Sequence, residues 1–205
     1  MFAKRSLQLY AASVENIRRV TDLASLKAVA HPLRVRLLGT LRVDGPATAT
    51  ELARKLDESS GATSYHLRQL ARFGFIEEDP EQPNARDRRW RAAHRYTSWT
   101  ESHFAGEPEG REVTRWLRRR QRESAVQMAE RFEEADWSAE WRDVAGQSDD
   151  IVRLTPASVR SLTERVHALI QEYAAHDAAA GDDAAVDAEQ VTIFLAAFPI
   201  RGYLP

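Results

Sequence analysis

The chain has 205 residues, a formal net charge of −2 and a hydrophobic share of 43%, enough for a buried core. This length fits one large domain or two small ones. Cysteine is absent, which excludes disulfides, thiol nucleophiles and cysteine-based metal sites. No apolar run approaches the about 18 residues of a membrane span, and the N-terminus lacks an apolar signal region. We therefore expect a cytoplasmic protein that makes no membrane contact.

Charge is divided unevenly along the chain. Residues 27–100 contain 13 Lys/Arg and 9 Asp/Glu, a net charge of +4. Residues 101–205 contain 12 Lys/Arg and 20 Asp/Glu, a net charge of −8. A basic front half can approach phosphate groups, whereas the acidic back half would face elsewhere.

Two helices are predicted before the central motif. Residues 1–21 form an arm whose apolar spacing is partly alternating and partly helical, so it predicts no single element. Asp22 is a candidate cap for a helix that continues through Val29. Pro32 suits the first turn of a second helix, which Asp44-Gly45-Pro46 ends.

The central motif is a pair of short helices joined by a polar break. The first runs from about Thr50 to Leu56, and the break is the capping and turn sequence 57–61. The second helix covers residues 60–72, and Gly74 follows its last turn. This order of helix, turn and helix predicts a helix-turn-helix whose second helix enters the major groove.

The outward positions of the second helix carry side chains that suit DNA. Short hydroxyls can approach base edges or phosphates, Arg can reach guanine, and Gln can bond adenine. The alternative is an ordinary amphipathic helix with a solvated polar face. The predicted DNA-binding residues of this helix are Thr63, Ser64, Tyr65, His66, Arg68, Gln69 and Arg72.

A hairpin is predicted directly after this helix. Phe75-Ile76-Glu77-Glu78 suits one strand and residues 86–93 suit the other, so residues 80–92 would form a wing. Its arginines Arg86, Arg88 and Arg89 would contact the DNA backbone or the minor groove. The alternative is a solvated basic loop.

The sequences LKAVAHPLRVRLLGTL, ATELARKL, SYHLRQLARFGFIEE and RDRRWRAA together resemble the winged helix-turn-helix of ArsR-type transcriptional regulators. The resemblance covers about residues 22–98. It implies a dimeric, cytoplasmic regulator that binds double-stranded DNA, often a repressor released by a ligand. By this resemblance, residues 63–66 and Arg68 match recognition-helix positions, and Arg86, Arg88 and Arg89 match the wing.

Residues 99–205 are predicted to form a C-terminal α+β domain for dimerisation or effector sensing. After a connector at 96–110, a long helix is expected over 111–135 and another from Pro156. Strands are expected at 149–154 and 191–198, with a flexible loop at 174–188. The whole chain is thus mainly α with short β, an α+β fold. The arginines of the long helix could bind the DNA backbone or pair with glutamates: Arg118, Arg119, Arg120 and Arg122.

No catalytic motif is present, so we expect neither an enzyme nor a cofactor. The six histidines form no close cluster with carboxylates, which argues against the metal sites that some ArsR-type regulators carry. A set of aromatic residues could line an effector pocket or belong to the core: Trp99, Trp116, Phe132, Trp137, Trp141 and Tyr173. The alternative function is a winged helix that binds another protein and no DNA.

Overall fold

The computed structural model describes residues 17–81, 88–179 and 188–201. Its fold is mainly α with short β, which confirms the predicted class. In chain order the elements are β1 Ile17–Val20, α1 Leu23–Val29, α2 Pro32–Val43, β2 Ala47–Thr48, α3 Ala49–Leu56, α4 Ser60–Arg72, β3 Ile76–Glu78, β4 Arg89–Ala92, β5 Tyr96–Trp99, the 3-10 turn Glu101–His103, α5 Pro108–Glu134, α6 Ala139–Val144 and α7 Pro156–Ala179.

Helices α1 to α4 begin where the sequence supplies caps. The Asp22 carboxylate accepts a hydrogen bond from a first-turn N–H of α1, and Pro32 occupies the first turn of α2. Thr48 and Glu51 form a reciprocal capping box at α3, and the Ser59 hydroxyl caps α4. Each cap satisfies N–H groups that the helix itself leaves unpaired. The predicted starts of these helices are confirmed to within one residue.

The described residues fall into two compact units, Asn16–Arg122 and a unit that includes Glu123–Pro205. The first unit has one continuous hydrophobic core. This core joins all four short helices to the hairpin and to the start of α5. Its buried side chains are Val20, Leu26, Ala28, Val29, Leu33, Leu37, Leu38, Leu41, Leu52, Leu67, Leu70, Phe75, Ile76, Trp90, Phe104 and Leu117.

Two small sheets frame the helices of this unit. β3 and β4 pair antiparallel, as the predicted wing requires, and β2 adds a third strand on the other edge of β4. β1 pairs in parallel with β5, with Ile17 opposite Tyr96 and Val20 opposite Trp99. The sequence predicted neither this parallel pair nor β2, because the pairing partners lie far apart along the chain.

Two arginines tie the sheets to the helices. The Arg18 guanidinium donates to the Phe73 carbonyl at 2.7 Å, at the end of α4. Arg42 donates to the His94 carbonyl at 3.1 Å and to the Thr97 hydroxyl at 2.8 Å. Burial lowers the pKa of Arg42 to about 10, so its charge is retained at neutral pH. These bonds fix the ends of α2 and α4 against strands that are distant in sequence.

The unit that includes Glu123–Pro205 differs from the prediction. Residues 149–154 and 191–198 form no strand, so the two strands predicted there are wrong. An extended apolar segment needs a neighbouring strand to complete its backbone hydrogen bonds, and none of the described residues supplies one. None of the described side chains of this unit is buried. Across the described ranges, no helix is both long enough and apolar enough to cross a lipid bilayer.

Candidate nucleic-acid interface

Helix α4 is held with one face in the core. Thr63, Leu67 and Leu70 point inward, each with no exposed surface. The predicted outward position of Thr63 is therefore wrong. The signal was present in the sequence, since positions 63, 67 and 70 follow the spacing of one helix face. The Thr63 hydroxyl is buried with no hydrogen-bond partner among the described residues.

The opposite face of α4 is open to solvent. Tyr65 is 55% exposed, and Arg68 and Arg72 are exposed as well. The Arg68 Nε donates to the Ser64 carbonyl at 3.1 Å. The Arg72 guanidinium lies 5.8 Å from the Phe73 ring centroid. This face presents one phenol and two cations, while Ser64 and Gln69 are half-buried at its edges.

His66 is occupied by a contact within the protein. Its ring lies 4.3 Å from the ring of His31, which caps α2 by accepting a hydrogen bond from the Leu33 N–H. Burial and then the charge of Arg34 lower the pKa of His31. The pKa of His66 is lowered by burial, by His31 and by Arg34, in that order. Both shifts favour the neutral imidazole, so they reduce the positive charge that His66 would add to the exposed face.

The wing carries its arginines on β4 and just before it. Arg88 forms an ion pair with Glu78 at 3.1 Å and lies 5.6 Å from the Trp90 ring centroid. Arg89 donates to the Pro46 carbonyl in the neighbouring loop. Trp90 is buried. Arg86 lies outside the described residues. The described part of the wing thus places Arg88 directly before β4 and Arg89 at the first position of that strand.

Positive charge is concentrated in the unit that holds α4 and the wing. Residues 16–122 contain 21 Lys/Arg and 14 Asp/Glu, a net charge of +7. Residues 123–205 contain 6 Lys/Arg and 16 Asp/Glu, a net charge of −10. The division at residue 122 is sharper than the one predicted at residue 100, because six arginines of α5 belong to the basic unit.

The aromatic residues proposed to line a pocket lie in different environments. Trp99 and Trp116 pack against the core of the basic unit. Phe132 and Trp137 stack with ring centroids 5.9 Å apart, whereas Tyr173 is 66% exposed. Within the described ranges, no three His, Asp or Glu side chains come together in a way that could hold a metal ion.

Comparison with known families identifies the motif. A family model described as a helix-turn-helix domain matches residues 29–79. Residues 29–79 are a helix-turn-helix domain. The matched residues include all of α2, α3 and α4, and the hairpin β3–β4 supplies the wing. The predicted resemblance to a winged helix-turn-helix regulator is confirmed for this domain. Its presence supports DNA binding and transcription regulation as the function of the protein.

Several solved structures are similar to the chain, while no curated protein matches it. Reduced HlyU from Vibrio cholerae shares 23% identity, covering 48% of this chain and 86% of its own, with a TM-score of 0.31. An ArsR family transcriptional regulator shares 26% identity over 48% of this chain and 84% of its own, with a TM-score of 0.29. A MarR family regulator from Neisseria meningitidis shares 14% identity over 75% of this chain and 78% of its own, with a TM-score of 0.28.

Proposed function

We propose that this protein is a sequence-specific transcriptional regulator of the ArsR type, a cytoplasmic dimer that binds operator DNA as a repressor and has no enzymatic activity. The observation that carries the proposal is the open face of α4, where Tyr65, Arg68 and Arg72 project from a helix locked into the core. In a helix-turn-helix this helix enters the major groove. A rigid support for that helix limits the positions that its side chains can take on base edges.

Different residues would serve affinity and sequence discrimination. Arg68 can donate two hydrogen bonds to guanine, and Gln69 can pair with adenine, so these positions read sequence. Ser64, Tyr65, His66 and Arg72 complete the helix surface that faces DNA. Arg86, Arg88 and Arg89 of the wing would contact phosphates, which position the protein without reading bases. Thr63 is left out of this set because its side chain is buried.

Dimerisation is supported by large apolar side chains that are exposed in a single chain. On α7, Leu162, Leu169 and Tyr173 are exposed, and Phe194 and Phe198 are exposed near the C-terminal end of the chain. Large apolar side chains grouped on one surface favour association. A two-fold dimer would place two copies of α4 on two half-sites of a palindromic operator.

One observation favours the alternative of a winged helix that binds protein. Two of the described wing arginines are matched by carboxylates, since Arg88 pairs with Glu78 and Arg91 pairs with Glu77 at 2.7 Å. Such pairs reduce the charge available for phosphate. A winged helix that uses this surface for a protein partner would show little dependence on salt.

The test is a binding titration with duplex DNA from immediately upstream of the protein's own gene, repeated in the presence of random competitor and over a salt series. We expect specific binding whose affinity falls steeply as salt rises, because bound phosphates release counterions. Absence of binding at low salt by folded protein would contradict the proposal and favour the protein-binding alternative. Binding that random competitor removes completely would leave DNA binding but contradict sequence specificity.

A further inference from the structure

Four exposed arginines form a row along the first half of α5. Arg111, Arg115, Arg118 and Arg122 are separated by four, three and four residues, so they share one helix face. We call this row the arginine stripe. It belongs to the basic unit and lies apart in sequence from the recognition helix and the wing. Together with Glu101, these four arginines line a single surface groove.

The positive charge of the stripe is only partly matched within the protein. Arg118 forms an ion pair with Glu101 at 2.6 Å, and Arg111 donates to the Ala105 carbonyl. Arg115 and Arg122 form no ion pair with any side chain in the part of the chain that the structure describes. Four arginines and one glutamate leave the groove with a net charge of +3.

This arrangement opposes helix stability. Like charges three or four residues apart repel one another along a helix. Arg122 has no carboxylate at either spacing, because positions 118, 119, 125 and 126 are Arg, Arg, Ala and Val. Binding of an external anion would offset the repulsion among these arginines, which would explain why the helix contains such a row.

The groove's lining indicates the chemistry of that anion. Guanidinium groups bind phosphate through paired hydrogen bonds. The lining contains no aromatic side chain on which a base could stack, which favours a phosphate backbone over a nucleobase. The twelve residues from Arg111 to Arg122 span roughly 16 Å of helix, and one DNA strand carries roughly five phosphates over that length. An extended polyanion fits this row better than a single compact phosphate.

We propose that the arginine stripe binds the phosphodiester backbone of DNA, at phosphates other than those held by the recognition helix and the wing. This inference rests on the proposed DNA-binding function. It adds a sequence-independent contact surface on α5, which would increase affinity for any duplex and leave the choice of operator to α4.

The test compares wild type with the double variant R115Q/R122Q on a long duplex of random sequence over a salt series. Glutamine removes the charge and retains high helix propensity. Losing two phosphate contacts reduces the slope of log affinity against log salt by about 1.8. Between 50 and 200 mM salt the wild-type affinity should therefore fall about 12-fold more than that of the variant.

Two control variants separate the charge of the stripe from other effects. R131Q/R160Q removes two exposed arginines elsewhere on α5 and α7, and it should keep the wild-type slope. R115K/R122K keeps both charges and should also keep that slope. Circular dichroism shows that each variant is folded, and sedimentation gives its oligomeric state.

Each outcome bears on a different part of the proposal. A wild-type slope in R115Q/R122Q would overturn the stripe as a DNA contact while leaving the recognition helix unaffected. If the variant is a monomer while the wild type is a dimer, the stripe belongs to a protein interface. That result would also overturn the proposal that the stripe contacts DNA. Absence of DNA binding by the wild type would overturn both this inference and the proposed function.

Discussion

The imidazole rings of His31 and His66 lie with their centroids 4.3 Å apart and their planes tilted by 32°. His31 caps α2 and His66 belongs to α4, so the contact joins the start of one helix to the middle of the other. The capping hydrogen bond from the Leu33 N–H requires an unprotonated Nδ1 on His31. Protonation of that nitrogen would therefore remove the cap of α2 at the point where its ring contacts α4.

We predict that acid destabilises the domain through this pair. Burial lowers the pKa of both histidines in the folded state, so the unfolded chain binds protons more readily. Stability should be complete above the ordinary histidine pKa of about 6.5 and should decline as the pH falls through that value towards the folded pKa. Glu58 opposes the shift, and Arg34 reinforces it.

The measurement is urea denaturation at a series of pH values between about 7.5 and 5, a range that brackets the ordinary histidine pKa. His66→Gln removes one titrating ring, so its stability should depend less on pH than that of the wild type. His94 keeps its own lowered pKa in both proteins and provides a common background. Equal pH dependence in the two proteins would show that the ring pair does not carry the effect.

We predict that Thr63→Val stabilises the protein by about 1 kcal/mol and leaves DNA affinity unchanged. Valine keeps the shape of the side chain and removes a buried hydroxyl that has no partner among the described residues. Thermal denaturation and a DNA titration check the two parts. Weaker DNA binding by a fully folded Thr63→Val protein would show that Thr63 does contribute to the surface that contacts DNA.

Arg68 and Arg88 should differ in what their removal changes. Arg68→Ala should lose about 1–3 kcal/mol of discrimination between operator and random DNA, because a base contact disappears. Arg88→Ala should weaken binding to all sequences alike and reduce the salt slope by about 0.9. Parallel titrations on operator and random duplexes provide the comparison. A uniform loss in Arg68→Ala would contradict its role in base reading.

Gly110 and Gly39 should respond in opposite directions to alanine. A Cβ at Gly110 would lie 2.8 Å from the Phe104 carbonyl oxygen and 2.9 Å from its Cβ, whereas nothing lies within 4 Å of one at Gly39. Gly110→Ala should therefore cost about 1–3 kcal/mol through overpacking. Gly39→Ala should gain about 0.5–1 kcal/mol, since alanine favours the helix. Chemical denaturation measures both, and equal effects would contradict the close packing at Phe104.

Leu169→Glu should convert the proposed dimer into monomers. An apolar row on α7 alternates steps of three and four residues, the spacing of a coiled-coil seam. It consists of Val159, Leu162, Val166, Leu169 and Tyr173. Leu169 is 53% exposed in one chain, so burying a carboxylate there would matter only at an interface. Arg160→Glu, on the opposite face, is the matched control. Sedimentation velocity distinguishes the outcomes, and a Leu169→Glu dimer would exclude this seam.

The helices of the domain could be predicted because their boundaries are local. Asp22, Thr48 and Ser59 each accept hydrogen bonds from N–H groups a few residues away, and Pro32 fixes the backbone of the first turn. The sequence near each helix is therefore sufficient. The parallel pairing of β1 with β5 depends on residues that lie nearly eighty positions apart, and no local pattern encodes it. The same limit explains the two strands wrongly predicted at 149–154 and 191–198, where apolar residues are present without a pairing strand among the described residues.

For the DNA-binding site, residue type could be read from the sequence more readily than orientation. Arg68 and Arg72 were predicted to point outward and do so, because charged side chains stay in water. Thr63 suits either environment, and only its alignment with Leu67 and Leu70 showed which one it takes. The contact between His31 and His66 joins two helices and could not be foreseen from either one.

The parallel pairing of β1 and β5 limits where a reporter protein can be attached. Parallel strands start at the same end, so Ile17 lies beside Tyr96, four positions after β4 ends. A fluorescent protein joined directly ahead of β1 would therefore be anchored next to the wing strand. We expect such a fusion to hinder any large partner that approaches the wing, unless a long linker separates the two.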